Sequence, residues 1–367
     1  MVLGLRGFPG IQGGVETHAE HLYPLLVKLG CEVDVIVRSP HVPKSNGNTW
    51  RGVRFRRLWS PGPRMKGLEA FVHTLLGVLY AALKQPDVLH IHAIGPAFMT
   101  PLGWLFGLRI VVTHHGPDYD REKWGVFPRW VIRTGERLGM RFADRRIVIS
   151  KAIKEMVRAR YDCDSVLIPN GVHIPKLPDT TLALQRFGLE PCRYVLIVSR
   201  LVPEKRHIDL IRAFAEADLP EWRLVLVGAF DPPDDYIRTV LSLAEMMPNV
   251  VLTGFQSGAA LQELYANAGL FVLPSSHEGL PIVLLEALSY GLPVLASDIP
   301  ANLEVGLPAE HYFPLGDVSA LSQMLRGFSA GKSDEQLGAE VRNWVKQRYD
   351  WERIAKQTLR VYVNITE

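Results

Sequence analysis

Strand-like and helix-like segments alternate from one end of this 367-residue chain to the other, and that alternation predicts an α/β protein of parallel layers. Two further observations split it in two. The length suits two ordinary globular domains, and HIPKLPDT at 173–180, with two prolines among polar residues, interrupts the pattern as a linker would. We therefore expect two Rossmann-like blocks, at 1–172 and 173–349.

The elements follow in order. VLGL reads as a strand, then comes a glycine loop, then Val15, Ala19, Leu22, Leu26 and Leu29, whose 4-3-4-3 spacing makes one apolar helix face. EVDVIV, VLHIHA, RIVVTHH, RRIVIS and SVLIP continue as strands. The second block offers YVLIVSR, RLVLVG, NVVLTG, LFVLPS and PVLAS, each followed by helical periodicity such as IDLIRAFAEA. These short β-branched runs are of the type buried on both faces of a parallel sheet. Ligands of open α/β sheets sit outside the carboxyl ends of the strands, so two such sheets are expected to face each other across a cleft.

Composition excludes several classes. With 47% hydrophobic and 22% charged residues, the chain is neither disordered nor fibrous. Cys31, Cys163 and Cys192 are odd in number and show no zinc or redox spacing, so inert thiols in a reducing cytoplasm are expected. VLGL is too short for the apolar region of a signal peptide, which also points to a cytoplasmic protein. The longest apolar stretch, Gly67 to Leu83, carries Glu69 and His73 and falls short of a membrane span, so it reads as a buried or interfacial helix.

Charge is distributed unevenly. Residues 1–175 hold 24 Lys/Arg against 14 Asp/Glu, a net of +10, and residues 176–367 hold 17 against 24, a net of −7. The first half is thus suited to an anionic partner such as a phospholipid surface or a lipid diphosphate, with plain solubility charge as the alternative. No nucleic-acid partner is expected.

The chemistry concentrates in HEGLPIVLLEALSYGLPVLAS at 277–297, where Glu278 and Glu286 stand eight residues apart around a helix start. Pro281 suits the first helical position and Gly279 a close backbone approach to ligand. The free N–H groups of that helix start attract an anion, and Glu286 tilts back toward it from about one and a half turns inside. A nucleotide sugar, with hydroxyls at both ends and a diphosphate between, matches this arrangement.

This segment resembles the E-x7-E motif of retaining glycosyltransferases of family 4, which have the GT-B fold. The resemblance runs from the glycine loop to the last helix. It implies that Glu278 contacts the donor sugar, Glu286 holds the ribose, and the backbone amides of Gly279 and Leu280 complete the donor site. It also implies that the final helix, about 351–364, crosses back to the first block, so that residues from about 350 to 367 belong with it.

In SRLVPEKR, Arg200 and Lys205 lie five residues apart after a strand and match the family's Arg-x4-Lys pattern. Two cations there would clamp the departing diphosphate in place of a metal. At the N-terminus, Gly13 and Gly14 do not form G-x-G-x-x-G and resemble the family's Gly-Gly loop, which favours sugar-nucleotide chemistry over hydride transfer. His114 and His115 end RIVVTHHG. The family's Thr-x-His pattern pairs Thr113 with His115, making His115 the candidate near the reacting sugar carbon and His92 a weaker one. The loop with Asp118, Asp120 and Arg121 is expected to shape the acceptor side.

Arg129, Arg133, Arg137, Arg141 and Arg145 recur every four residues with Trp130 and Phe142 nearby, a solvated basic face or an interfacial helix. Asp162 and Asp164 form a D-x-D that we do not read as a metal site. Asn170 and Gly171 resemble the family's PNGV turn at the domain junction.

The resemblance therefore implies a metal-independent, retaining glycosyltransferase without cofactor. It would move a sugar from a nucleotide sugar to a glycan or lipid-linked acceptor, in bacterial surface glycan assembly; the basic first half, read from its charge, adds peripheral contact to an anionic membrane as a further expectation. The rival readings are an epimerase or hydrolase of the same architecture and a non-enzymatic sugar-nucleotide-binding protein.

Overall fold

The computed structural model describes residues 1–39, 41–42, 47–61, 68–120, 125–229, 235–330 and 335–366. The chain divides into two compact units, Met1–Gly171 with Trp351–Glu367, and Val172–Asp350.

The first unit is built on a sheet ordered β3-β4-β2-β1-β5-β6-β7-β8. Its strands are β1 Val2–Leu3, β2 Asp34–Arg38, β3 Thr49–Trp50, β4 Val53–Leu58, β5 Leu89–His92, β6 Ile110–His114, β7 Arg145–Val148 and β8 Val166–Leu167. All pairings are parallel except the β3–β4 hairpin. That hairpin and β4 are absent from the sequence reading. VRFRRL alternates buried Val53 and Phe55 with arginines on the other face, and Arg54 and Arg56 donate to Asp34 of β2 at 2.8 and 3.0 Å. An arginine-rich run becomes a strand because a neighbouring carboxylate neutralises its wet face.

The first helix, Gly14–Lys28, buries Ala19, Leu22 and Leu26 as the spacing predicts, but Leu29 falls past its end and is 37% exposed. The apolar stretch forms the helix Leu68–Lys84, where Gly77 lies so close to Leu3 that a Cβ would sit 2.3 Å from it. The core gathers Leu5, Phe8, Leu22, Tyr23 and Leu26 around the sheet, joined by Trp351, Ile354, Ala355 and Val361 from the last helix, Trp351–Thr366. A Cβ on Gly171 would stand 2.4 Å from the Trp351 ring, so the PNGV turn needs glycine to seat that indole.

The second unit holds a parallel sheet ordered β11-β10-β9-β12-β13-β14. Its strands are β9 Tyr194–Val198, β10 Arg223–Val227, β11 Val250–Gly254, β12 Leu270–Leu273, β13 Val294–Ser297 and β14 Tyr312–Phe313. The chain leaves β9 toward β10 on one side and later returns to lay β12 on its other side. The strand order therefore reverses between β9 and β12, and the crevice at their carboxyl ends is where such sheets bind ligands.

Candidate functional site

Arg200 and Lys205 follow β9, and Glu278, Gly279 and Leu280 follow β12, so the residues picked from sequence converge on that switch point. The Lys205 ammonium donates to the Glu278 carboxylate, and both side chains are largely enclosed. The two segments are also stitched by backbone, since the Ser276 N–H donates to the Glu204 carbonyl at 2.9 Å. Both carboxylate oxygens of Glu204, one residue before Lys205, are buried with no hydrogen-bond partner among the described residues.

Arg200 is half-buried, one residue past an anchored serine. The Ser199 hydroxyl and His207 Nε2 are 2.8 Å apart, and the Tyr236 hydroxyl accepts from the His207 N–H at 2.8 Å. Burial takes His207 down to about 3, so this prop stays neutral. Gly228, after β10, lies so close that a Cβ would meet the Ser199 carbonyl oxygen at 1.7 Å. His207, Tyr236 and Gly228 position the Arg200 turn, and no local spacing in the sequence marks them.

The helix Ile282–Ser289 begins one residue later than expected, because Pro281 has extended ψ and serves as its N-cap, with its carbonyl accepting from Leu284 N at 3.1 Å. Glu286 accepts from the Tyr265 hydroxyl at 3.1 Å, and the Tyr265 ring stacks on Tyr290 at 5.3 Å. Burial raises the Glu286 carboxyl to about 7, opposed by that hydrogen bond. It is not in the Lys205–Glu278 pair.

In the first unit, His115 joins a hydrogen-bonded chain. Its Nε2 is 2.8 Å from His92 Nδ1, and the His92 Nε2 meets the Tyr23 hydroxyl. His90 contacts the Tyr362 hydroxyl through Nδ1 at 2.6 Å and Thr113 through Nε2 at 2.7 Å. His18 stands edge-on to His115 at 5.1 Å, with Nδ1 held 3.0 Å from Asn170 Oδ1. Burial lowers His90, His92 and His115 well below the usual imidazole range and His18 to about 4, so the cluster is neutral. His115 keeps an exposed part. His90 and His92, two apart on one strand, share a face with rings 4.2 Å apart, a period-2 signal that the sequence offered.

His114 is different. Its Nδ1 accepts from Gly116 N at 3.1 Å, so Nε2 carries the proton and donates to Glu136 at 2.8 Å, fully buried. Burial alone would raise Glu136, but hydrogen bonds from His114 and Tyr161 and the Arg160 charge hold it below the usual carboxylate range. His114 is thus committed to the core.

Gly13 precedes the first helix, and a Cβ there would stand 2.2 Å from Glu16 Oε2, while Gly14 opens onto free space. Arg6 Nε donates to Glu16 at 2.9 Å and ties the loop down. Asp118 lies in a short 3-10 turn after β6, whereas the Asp120 side chain and Arg121 lie outside the described residues. Asp162 ends the helix Lys151–Tyr161 in the left-handed region. Of the arginine ridge, residues 129 to 141 are on the helix Val126–Phe142, but Arg145 begins β7.

Comparison with known proteins gives two family matches. The profile described as "Glycosyl transferases group 1" matches residues 185–344, and that described as "Glycosyltransferase Family 4" matches residues 12–175. An uncharacterized glycosyltransferase of Methanocaldococcus jannaschii is 28% identical over 96% of this chain and 95% of its own. The phosphatidyl-myo-inositol mannosyltransferase of Mycolicibacterium smegmatis is 26% identical over 97% of this chain and 91% of its own. Among solved structures, the Anabaena protein HepE in complex with UDP-glucose superposes with a TM-score of 0.79 at 18% identity, covering 99% of each chain.

Proposed function

The chain belongs to the family 4 glycosyltransferases, with the GT-B fold, and from that premise we propose that it transfers a sugar with retention from a nucleotide sugar to a hydroxyl of a lipid-linked or growing glycan. The observation that carries this reading is the Lys205–Glu278 pair at the switch point of the second sheet, with Arg200 on the turn that leaves β9. A carboxylate that orients a sugar and cations that receive a diphosphate belong at the two ends of one bond.

In this reading the acceptor oxygen bonds to the anomeric carbon as the bond to the diphosphate oxygen breaks. The acceptor proton passes to the departing phosphate oxygen. Arg200 and Lys205 stabilise the charge that grows there, which makes a metal unnecessary. Lys205 moves from Glu278 to the diphosphate when donor arrives, and Glu278 is freed to accept from sugar hydroxyls. Glu286 takes the ribose diol, and the amides of Gly279 and Leu280 hold phosphate or sugar oxygens. On the first unit, His115 is assigned to the sugar ring, and Gly13 and Gly14 to donor contact.

Two relatives support the substrate classes. HepE is solved with UDP-glucose, and the mycobacterial relative is named for a lipid acceptor. The test is thermal shift with a panel of nucleoside diphosphates and their sugars, followed by turnover of the donor that stabilises, with and without glycan acceptors. We expect acceptor-dependent nucleotide release with retained anomeric configuration, and a fall of about 10²-fold or more in Glu278→Ala. Turnover unchanged in that variant removes the assignment.

A further inference from the structure

Five groups at the carboxyl edge of the first sheet share their protons in one hydrogen-bonded string, and the distances along it decide which way each bond runs. His90 and His92 lie on β5, Tyr23 on the first helix and Tyr362 on the last, and His115 follows β6. Tyr23, His90 and His92 are buried, and His115 keeps an exposed part. Burial pushes both phenols up and the three imidazoles down, so at neutral pH every member owns one exchangeable proton.

The direction of the string is set at Tyr23. Its hydroxyl proton has two acceptors within reach, His92 Nε2 and, at 3.2 Å, His90 Nδ1. The second is closed in either tautomer of His90. A bare Nδ1 has one lone pair, which the Tyr362 hydroxyl takes at 2.6 Å; with the proton on Nδ1 and Nε2 accepting from Thr113 Oγ1 at 2.7 Å, no lone pair is left there to offer. Tyr23 therefore donates to His92 Nε2. A neutral imidazole that accepts at Nε2 carries its proton on Nδ1, and His92 Nδ1 lies 2.8 Å from His115 Nε2. His115 accepts at that atom, so its own proton sits on Nδ1, away from the string. Packing holds the ring in this pose, since His92 stacks on it at 5.2 Å and His18 meets it edge-on at 5.1 Å. His114, its neighbour in sequence, has the opposite tautomer, with Nδ1 accepting from Gly116 N and the proton on Nε2.

We propose that Tyr23 and His92 are positioning residues that fix His115 as the Nδ1–H tautomer, so that it meets the donor sugar as a hydrogen-bond donor and never as a base. The sugar contact rests on the transferase reading, whereas the tautomer rests on the first unit alone. A bare nitrogen at this place would compete with the departing phosphate for the acceptor's proton. A protonated one leaves that proton a single path. Tyr362, by occupying the other acceptor open to Tyr23, makes the last helix a part of this arrangement.

The test is two-bond proton–nitrogen correlation NMR of the full chain with isotope-labelled imidazoles at neutral pH, the His115 signals being identified by their loss in His115→Gln. We expect His92 and His115 as Nδ1–H and His114 as Nε2–H. Tyr23→Phe removes one oxygen and keeps the buried ring, and His92→Phe keeps a ring beside His115 without its N–H. In both, His115 is expected to pass to a mixture of tautomers while His114 stays unchanged, and kcat/KM for the nucleotide sugar to fall about tenfold. An Nε2–H form of His115 in the wild type, an unshifted Nδ1–H form in either variant, or wild-type turnover in a variant whose tautomer has changed would overturn the proposal. Wild-type protein that turns over no nucleotide sugar with any acceptor would instead remove the transferase reading, and the spectra would still decide whether Tyr23 and His92 fix His115.

Discussion

At the scale of single residues, Glu286 carries the sharpest consequence. Its carboxyl rises to about 7 in the fold from 4.5, because burial disfavours its charged form. Between those values the folded state holds a proton that the unfolded chain has released, so this residue's contribution falls as pH rises through the window. Glu286→Gln is therefore expected to gain stability over wild type by a few kcal/mol between pH 5 and 8, read by urea denaturation at both pH values. In the proposed donor site the same substitution is expected to weaken nucleotide binding above pH 7, where the wild-type carboxylate would accept from the ribose diol. The four charged candidates were legible because two short motifs contain them all. The chain behind His115 was not, since Tyr362 and His90 are 272 residues apart and no local pattern joins them.

At the scale of elements, the turn after β9 depends on one missing side chain. A Cβ at Gly228 would press on the Ser199 carbonyl at 1.7 Å, against backbone that cannot swing away. Gly228→Ala is expected to cost about 1–3 kcal/mol, and to lower transfer more than nucleotide affinity, because Arg200 moves with Ser199. Chemical denaturation and steady-state kinetics give the two numbers. The long β-branched strands and the first helix face could be read from periodicity, and the parallel order followed from their alternation. The β3–β4 hairpin and β14 could not: two-residue strands carry no period, and the arginines of β4 conceal its alternation until Asp34 is placed beside them. Pro281 was read one position too far into its helix, since a proline satisfies either role and only the backbone ψ decides.

At the scale of the whole molecule, buried neutral imidazoles recur in both units. Burial takes His18 and His73 to about 4 and His207 to about 3. Below about 6.5 each takes up a proton on unfolding that the fold refuses, so stability present at neutral pH is lost as pH falls toward those values. Each contributes on the order of 1 kcal/mol per pH unit in that window, opposite in sign to Glu286. Denaturation free energy measured from pH 7 to 4 is expected to drop with a slope of several protons, and His207→Gln to remove about one of them.

The last helix gives Trp351, Ile354, Ala355 and Val361 to the core of the unit whose other residues end at Gly171. On the ribosome, then, that unit stays unfinished until Trp351–Thr366 has been made, whereas Val172–Asp350 is an unbroken run that can close earlier. Of the two units, the one begun earlier is the later to be completed, and until then it presents an open hydrophobic seam to whatever waits at the exit tunnel.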